Sequence, residues 1–303
     1  MNFSTKKIND LFSCPNCKSA LLKKNNNKIN CKECGDTFDI LFNTPVFIKN
    51  NSPVLEWYNF NKDSKLSTKK DFKRLLKYIY RKIKPVERIW TTKSKRAIQN
   101  LIEKLNPDIN DNNVVLIGSG FEPVYRRILN PYKNIIYMGL SNRGSVDIIN
   151  DICNIPLLDE KIDLVLSSSV LEHVYNPEIA VQEMHRVIKP GGYVYAEIPF
   201  MRSYHMIPID YQRYTISGIE ELFKRNGFKL VEKGICSGPF TAIVLFLIDF
   251  CSTLFKFNNY LSAIIGLILS LILHPFKYLD RLFESSNWAE VCACNFYYIG
   301  KKL

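Results

Sequence analysis

The chain has 303 residues, of which 47% are hydrophobic, and a formal net charge of +12. This length predicts one large domain with small accessory segments and a sizeable core. The first residues, MNFSTKKINDLF, lack the pattern of a signal peptide, and the nine cysteines fit a reducing compartment better than a disulfide framework. We therefore expect a cytoplasmic protein.

Four of the cysteines form two closely spaced pairs near the start of the chain. Cys14 and Cys17 make the first Cys-x-x-Cys pair, and Cys31 and Cys34 make the second. Four thiolates complete the tetrahedral shell of Zn²⁺ and leave no open position, which is typical of a structural ion. Residues 1–50 are therefore predicted to be a zinc ribbon, and the metal would supply much of the folding energy of so short a segment.

Residues 51–110 are predicted to be a basic helical linker or cap. The stretch 62–104 holds fifteen Lys or Arg against four Asp or Glu, and apolar residues recur in it at helical spacing. A basic excess this concentrated indicates an anionic partner, for which RNA, anionic lipid and a phosphorylated substrate remain open. A helical cap over a cleft explains the same pattern without a partner.

In residues 111–303, predicted strands alternate with predicted helices, as in an α/β domain. Residues 114–120 read as a first strand with a Gly-Ser-Gly turn, and residues 135–141 read as a second strand. The apolar run 163–166 is typical of a strand covered on both faces. A helix is predicted from the cap Asn176 to the Lys-Pro-Gly-Gly stop at 189–192, and another strand follows it. Polar groups at the carboxyl edge of such a sheet predict a ligand site.

Several short motifs occur here in one order: Asp151-x-x-x-Ile155-Pro156, then Leu171-Glu172-His173-Val174, then Glu183-x-x-Arg186 and the Lys-Pro-Gly-Gly stop. The segment resembles class I S-adenosylmethionine-dependent methyltransferases of the type 11 branch, which act mostly on small molecules, lipids and glycans. The resemblance implies a Rossmann-like, seven-stranded sheet. The ribbon also resembles small zinc-ribbon proteins that partner or precede methyltransferases.

The resemblance also implies S-adenosylmethionine as cofactor and a set of residues that bind it. These residues are Gly118, Ser119, Gly120, Ser141, Asp151, Ile152 and Ser168. The family usually has an acid where Leu116 stands, a third glycine where Glu122 stands, and a ribose-binding carboxylate where Ser141 stands. Asp151 is expected to reach the adenine amino group, and the alternative is that it caps the following turn.

The acceptor side is predicted around two histidines. His173 follows the fourth strand, and His205, Asp210 and Arg213 lie on a polar and aromatic loop, 199–215. This loop resembles the substrate loop of a sub-branch often linked to cell-surface polysaccharide assembly. Either histidine titrates in the right range to accept a proton from the nucleophile, while Arg213 could pair with Asp210 or hold an anionic substrate group.

About fifty residues, unusually rich in apolar side chains, separate the last two predicted strands, where the family has a simple hairpin. Within this insertion, 238–290, the runs 239–255 and 261–273 carry one charge between them, Asp249. Each run is shorter than the roughly 20 residues of a spanning helix, so we expect a re-entrant or interfacial helical hairpin, with Lys277 and Arg281 reaching towards head groups. A dimer interface and a buried lid are the alternatives.

Together these features predict a methyltransferase that acts on a lipid-linked or cell-surface glycan precursor, peripheral to the inner face of the membrane. The main alternative is an RNA methyltransferase, because zinc ribbons and basic helices also occur in that class. A third hypothesis is a non-catalytic adapter, because positions Leu116, Glu122 and Ser141 depart from the usual motif.

Overall fold

A computed structural model describes residues 11–20, 22–25, 27–41, 43–49, 51–56, 58, 85, 88–105, 112–118, 123–129, 132, 134–140, 146–205, 209–284 and 286–303. The basic helix predicted within 62–84 lies outside these residues. The division into segments at residues 50 and 110 stays a prediction.

Seven strands form the main sheet, in the order β7-β6-β5-β8-β9-β11-β10. Neighbours from β7 to β9 run parallel, while β11 is antiparallel to both β9 and β10. The predicted seven-stranded α/β sheet is therefore confirmed. The strands are β5 (Asn113–Gly118), β6 (Asn134–Gly139), β7 (Ile148–Asn150), β8 (Ile162–Ser168), β9 (Ile188–Pro199), β10 (Phe228–Ser237) and β11 (Asn295–Lys302).

Helices cover both faces of this sheet. The helices α1 (Thr92–Lys104) and α2 (Pro123–Leu129) contribute buried side chains to one core, and α3 (Pro177–Val187) and α4 (Ile216–Arg225) to the other. The predicted cap Asn176 accepts a hydrogen bond from the backbone N–H of Ile179. Strand β9 begins directly after α3, so residues 189–192 belong to the strand rather than to the predicted turn.

The ribbon adds four strands to the same sheet. They are β1 (Leu22–Asn25), β2 (Lys28–Cys31), β3 (Thr37–Leu41) and β4 (Thr44–Phe47). Strand β4 pairs in parallel with β7, and the buried rings of Phe12, Phe38 and Phe47 belong to the same core as α3. The Lys18 ammonium also donates to Asn154 (2.9 Å) and Glu183 (2.8 Å). The ribbon is therefore packed as part of the α/β core.

The predicted helical hairpin lies between β10 and β11. It consists of α5 (Pro239–Leu254), α6 (Asn259–Leu273), a 3₁₀ segment (His274–Leu279), α7 (Asp280–Phe283) and a second 3₁₀ segment (Asn287–Cys292). Among the described residues, one stretch, Asn259–Phe283, is long and apolar enough to cross a membrane, judged by length and composition alone.

A buried carboxylate fastens the hairpin to the domain. Asp280 is 1% exposed and accepts hydrogen bonds from the backbone N–H groups of Phe240 (2.8 Å) and Thr241 (3.1 Å), at the start of α5. These groups lack partners within the helix, so Asp280 acts as their cap. Lys277 is buried, so the prediction that it reaches towards head groups is wrong, whereas Arg281 is exposed and lies over the Tyr278 ring.

Candidate active site

The four ribbon cysteines come together as the sequence predicts. The sulfur atoms of Cys14 and Cys34 are 3.6 Å apart, those of Cys17 and Cys31 are 3.5 Å apart, and all four lie within 4.8 Å of one another. A tetrahedral Zn²⁺ with bonds of about 2.3 Å separates its sulfur ligands by roughly 3.7 Å, so the cluster fits this ion.

The local backbone explains this geometry. Each Cys-x-x-Cys pair is followed by a residue at positive φ, Lys18 (59°) after the first and Gly35 (78°) after the second. The two tight turns bring two thiols each towards one point. Burial opposes ionisation of Cys31, but the backbone N–H groups of Cys34 and Glu33 outweigh it and lower the pKa of that thiol to about 7. Burial raises the pKa of the Cys14 thiol, so Cys31 is the one of these two thiols that ionises more readily to the metal-binding thiolate.

A second polar cluster lies at the carboxyl end of β8. Glu172 is fully buried, and neither of its carboxylate oxygens has a hydrogen-bond partner among the described residues. Burial raises the pKa of this carboxyl to about 8. His173 Nε2 lies 3.8 Å from Glu172 Oε1, and the rings of His173 and His205 are 5.0 Å apart at an interplanar angle of 90°.

Hydrogen bonds to the backbone fix both histidine rings. His173 Nδ1 is 2.7 Å from the carbonyl oxygen of Ile209, and His205 Nδ1 is 3.2 Å from that of Ser203. A carbonyl oxygen only accepts, so Nδ1 of His173 carries the proton and its Nε2 keeps its lone pair. His205 Nδ1 lies 3.2 Å from the Ser203 carbonyl oxygen and also 3.4 Å from Arg213 Nη2, which can only donate. Burial lowers the pKa of His173, which keeps that imidazole neutral near pH 7.

Asp210 and Arg213 hold the loop that carries His205. The Arg213 guanidinium donates to both carboxylate oxygens of Asp210, and the backbone N–H of His205 donates to Asp210 at 2.9 Å. Arg213 also donates to the carbonyl oxygen of Ser203 at 3.2 Å. The predicted Asp210–Arg213 pair is thus present, and the structure brings all four residues predicted for the acceptor side into one cluster.

A third polar network, which the sequence did not predict, surrounds a buried glutamate on β9. Glu197, on β9, is fully buried and accepts hydrogen bonds from Arg88, Tyr125 (2.9 Å) and Ser168 (3.2 Å). A glutamate inside the otherwise apolar run of β9 is the signal that could have indicated it, because a buried charge needs a partner. The partner, Arg88, lies 109 positions away in sequence, so spacing gives no indication of the pair.

Comparison with protein families gives a match for residues 133–196, to a methyltransferase domain family. This stretch covers β6, β7, β8, α3 and most of β9, and contains Asp151, Glu172 and His173. The motif order, the sheet order and this match agree. The chain therefore contains a methyltransferase domain.

The methyltransferase is also similar to solved structures, at low identity. A putative sarcosine dimethylglycine methyltransferase from Galdieria sulphuraria has a TM-score of 0.45 at 13% identity, with 77% of this chain and 98% of that chain covered. A possible histamine N-methyltransferase from Thermotoga maritima has a TM-score of 0.41 at 17% identity, with 69% and 89% covered. Comparison with curated proteins finds no match.

Part of the predicted cofactor site of the methyltransferase is described. Ser119, Gly120 and Ser141 lie outside the described residues. Gly118 ends β5 at φ 93°, and a Cβ there would clash with Val170 and lie 2.8 Å from the carbonyl oxygen of Ser168. Packing within the protein therefore requires glycine at this position, and contact of Gly118 with the cofactor stays a prediction.

The adenine end of the site fits the cofactor. Asp151 directly follows β7, and its Oδ1 accepts from the backbone N–H of Cys153 (2.9 Å) while its Oδ2 accepts from the Ser52 hydroxyl (2.6 Å). Asp151 therefore caps the following turn, and its contact with adenine stays a prediction. The adjacent Asn150 is buried and its Oδ1 has no partner among the described residues, which suits an amino donor such as that of adenine. Ile152 is buried beside them.

Proposed function

We propose that this methyltransferase modifies a lipid-linked or cell-surface glycan precursor while its helical hairpin lies in the inner face of the membrane. The observation that carries the proposal is the distribution of side chains on the two long helices of the hairpin, α5 and α6. Large apolar side chains point outward: Phe246 and Ile272 are each 60% exposed, and Phe257 at the tip is 83% exposed. Monomeric soluble proteins rarely expose so large an apolar surface.

On the α6 side, the seam between α5 and α6 is made of small residues. Gly266 and Ser270 are the buried residues of α6, and a Cβ at Gly266 would lie 2.9 Å from Ser252 Oγ on α5. The Ser262 hydroxyl crosses the seam to the carbonyl oxygen of Ser252 (2.8 Å). Small residues within and large apolar residues outside are typical of helix pairs in lipid, where close backbone approach replaces hydrophobic burial.

The length of α5 and the connections of the hairpin favour partial insertion. Helix α5 has 16 residues and is about 24 Å long, which is shorter than the roughly 30 Å hydrocarbon core. Both ends of the hairpin return to adjacent strands, β10 and β11, of one sheet. These two facts support a hairpin that enters one leaflet and returns to the same side.

The hairpin lies beside the predicted acceptor loop. Arg202 of that loop forms an ion pair with Asp249 on α5 (3.4 Å). The backbone N–H groups of Phe200 and Met201 donate to the carbonyl oxygens of Cys294 and Ala293, where the hairpin segment returns to β11. A hairpin in the lipid would thus hold the acceptor loop near the head groups, which supports a membrane-bound acceptor.

The chemistry requires alignment of a nucleophile with an activated methyl group, which S-adenosylmethionine supplies when bound. Asp151 and Asn150 would hold the adenine end of the cofactor. On the acceptor side, Asp210 and Arg213 fix the position of His205, and His173 Nε2 faces Glu172 at 3.8 Å. Basic residues of the stretch 62–104 would add attraction to anionic lipid, at roughly 1 kcal/mol for each one that reaches the surface.

The test is flotation of the full chain with liposomes that contain anionic lipid. In the double variant Ile264→Asp/Ile268→Asp, two exposed residues one turn apart on α6 become charged. We expect the membrane partition coefficient to fall at least about tenfold, because Asp is among the residues least favoured in lipid. The matched control is Ile179→Asp/Val231→Asp, which places the same charges on exposed apolar positions elsewhere and should float as wild type does.

Equal flotation of wild type and the α6 double variant, with both folded by circular dichroism, would contradict the membrane proposal. RNA binding with a steep salt dependence that ignores the α6 substitutions would favour the RNA methyltransferase alternative.

A further inference from the structure

We propose that Glu172, His173 and His205 form a site for a divalent cation, separate from the zinc ribbon. One potential ligand atom from each side chain lies within 4.8 Å of the others. Within the described part of the chain, this group and the ribbon cysteines are the two clusters with such geometry. The proposal deepens the proposed function, because it assigns the two histidines at the acceptor side to cation binding instead of proton abstraction.

The histidine rings are oriented as metal-binding imidazoles are. In metal sites, the ring nitrogen that does not bind the ion usually donates to a carbonyl or carboxylate, which fixes the tautomer. Here His173 Nδ1 faces the carbonyl oxygen of Ile209, and His205 Nδ1 faces that of Ser203, with Asp210 Oδ2 at 3.5 Å and Arg213 Nη2 at 3.4 Å. Among the described residues, neither Nε2 atom has a hydrogen-bond partner, and His173 Nε2 lies 3.8 Å from Glu172 Oε1.

The third ligand is a buried carboxylate that lacks a partner. Glu172 is fully buried and has no hydrogen bond at either oxygen among the described residues, although a buried polar group without partners is costly. Arg88 and Arg213 act on it only through longer-range charge interactions. A cation between Glu172 and the two imidazoles would satisfy these oxygens and complete a set of two nitrogen ligands and one carboxylate.

The present distances require a small closure. Metal bonds of about 2.0–2.2 Å to nitrogen and oxygen place the ligand atoms roughly 3–4 Å apart, so the cluster must contract by about 1 Å. Glu172 has no hydrogen bonds to break, and the His205 side chain is 34% exposed on a loop. Two imidazoles and one carboxylate suit Mn²⁺, Fe²⁺, Co²⁺ and Zn²⁺, and three ligands leave coordination positions open for an acceptor oxygen.

The two sites differ in ligand type, so they can be told apart by the metal ions that they bind. Four thiolates select Zn²⁺, whereas nitrogen and carboxylate ligands also accept Mn²⁺. The experiment therefore uses the full chain with the ribbon filled by Zn²⁺, and titrates Mn²⁺ alone while electron paramagnetic resonance reports the free ion. We expect about one bound Mn²⁺ per chain.

Two variants test the ligands independently. Glu172→Gln and His205→Gln should each weaken Mn²⁺ binding at least about tenfold, since each removes one of three ligands. The matched control is His274→Gln, a histidine on the hairpin, which should bind Mn²⁺ as wild type does. If Glu172→Gln fails to fold, His205→Gln decides, because His205 is partly exposed.

Absence of Mn²⁺ binding in wild type, or equal binding in wild type and the folded variants, would overturn the proposal. Neither result depends on methyl transfer, so the cation site can fail while the proposed function stands. Conversely, a protein that binds Mn²⁺ at these residues and does not bind liposomes would retain the site and lose the membrane proposal.

Discussion

The ion pair between Arg88 and Glu197 offers a quantitative test of the site's architecture. Glu197 is fully buried, and Arg88 connects the segment before α1 to the carboxyl ends of β8 and β9, where it also donates to Ser169 (3.0 Å). In Arg88→Met the side chain keeps much of its volume but loses its charge. The Glu197 carboxylate then stays buried, and its remaining donors among the described residues are the hydroxyls of Tyr125 and Ser168 and the side-chain amide of Asn295 (3.4 Å).

Breaking a buried ion pair by removing one partner costs about 3–5 kcal/mol, because the remaining charge has no compensation. We expect Arg88→Met to lower the free energy of unfolding by this amount. The double variant Arg88→Met/Glu197→Gln removes both charges and should recover at least about half of the loss, since the amide can still bond to its neighbours.

Urea unfolding followed by circular dichroism measures both variants. The control is Lys233→Met, which breaks the Lys233–Glu220 pair, whose side chains are 32% and 33% exposed. A partly exposed pair contributes about 0–1 kcal/mol, so this variant should stay close to wild type. An Arg88→Met variant within about 0.5 kcal/mol of wild type, or a double variant less stable than Arg88→Met, would refute the argument.

Three further predictions follow from the ribbon, the cofactor site and the hairpin anchor. Purified protein should carry about one Zn²⁺ per chain at the ribbon. Cys34→Ser should lower both the zinc content and the midpoint of thermal unfolding, because the ribbon shares a core with α3. Full zinc content in this variant would contradict the assignment. Ser141→Asp should tighten S-adenosylmethionine binding measured by calorimetry, since a carboxylate can accept from both ribose hydroxyls; no binding in wild type or variant would favour the adapter alternative. Asp280→Ala should lower the free energy of unfolding by about 2 kcal/mol, because it leaves backbone N–H groups at the start of α5 uncapped. An unchanged midpoint of chemical unfolding would contradict the role of Asp280 as this cap.

The local elements of the fold were predictable because their signals lie close together in sequence. The Cys-x-x-Cys pairs, the cap Asn176 and the apolar hairpin each act within a few turns of chain, and the structure has all three. The strand pairing between β4 and β7 was not predicted, because hydrophobic patterns do not specify which sheet edge a strand joins. Lys277 was assigned to the surface from its charge alone, and only the tertiary packing places it inside.

The site was predictable to a similar extent. The resemblance placed His173, His205, Asp210 and Arg213 on neighbouring loops, and parallel strands bring such loops to one edge. It could not indicate that Ser52, in a predicted linker, donates to Asp151, nor that Arg88 neutralises Glu197. Both contacts join distant segments whose approach depends on the docking of the ribbon and of the segment before α1.

The central claim is that this methyltransferase acts on a membrane-bound acceptor, and the most direct measurement is methyl transfer from S-adenosylmethionine with a radiolabelled methyl group. The purified full chain is mixed with liposomes that carry a lipid-linked glycan fraction, and the label is counted in the lipid extract and in RNA added to the same reaction. We predict label in the lipid extract, reduced at least about tenfold by Ile264→Asp/Ile268→Asp and retained by Ile179→Asp/Val231→Asp. Label in RNA, or lipid label that the α6 substitutions leave unchanged, would contradict the account.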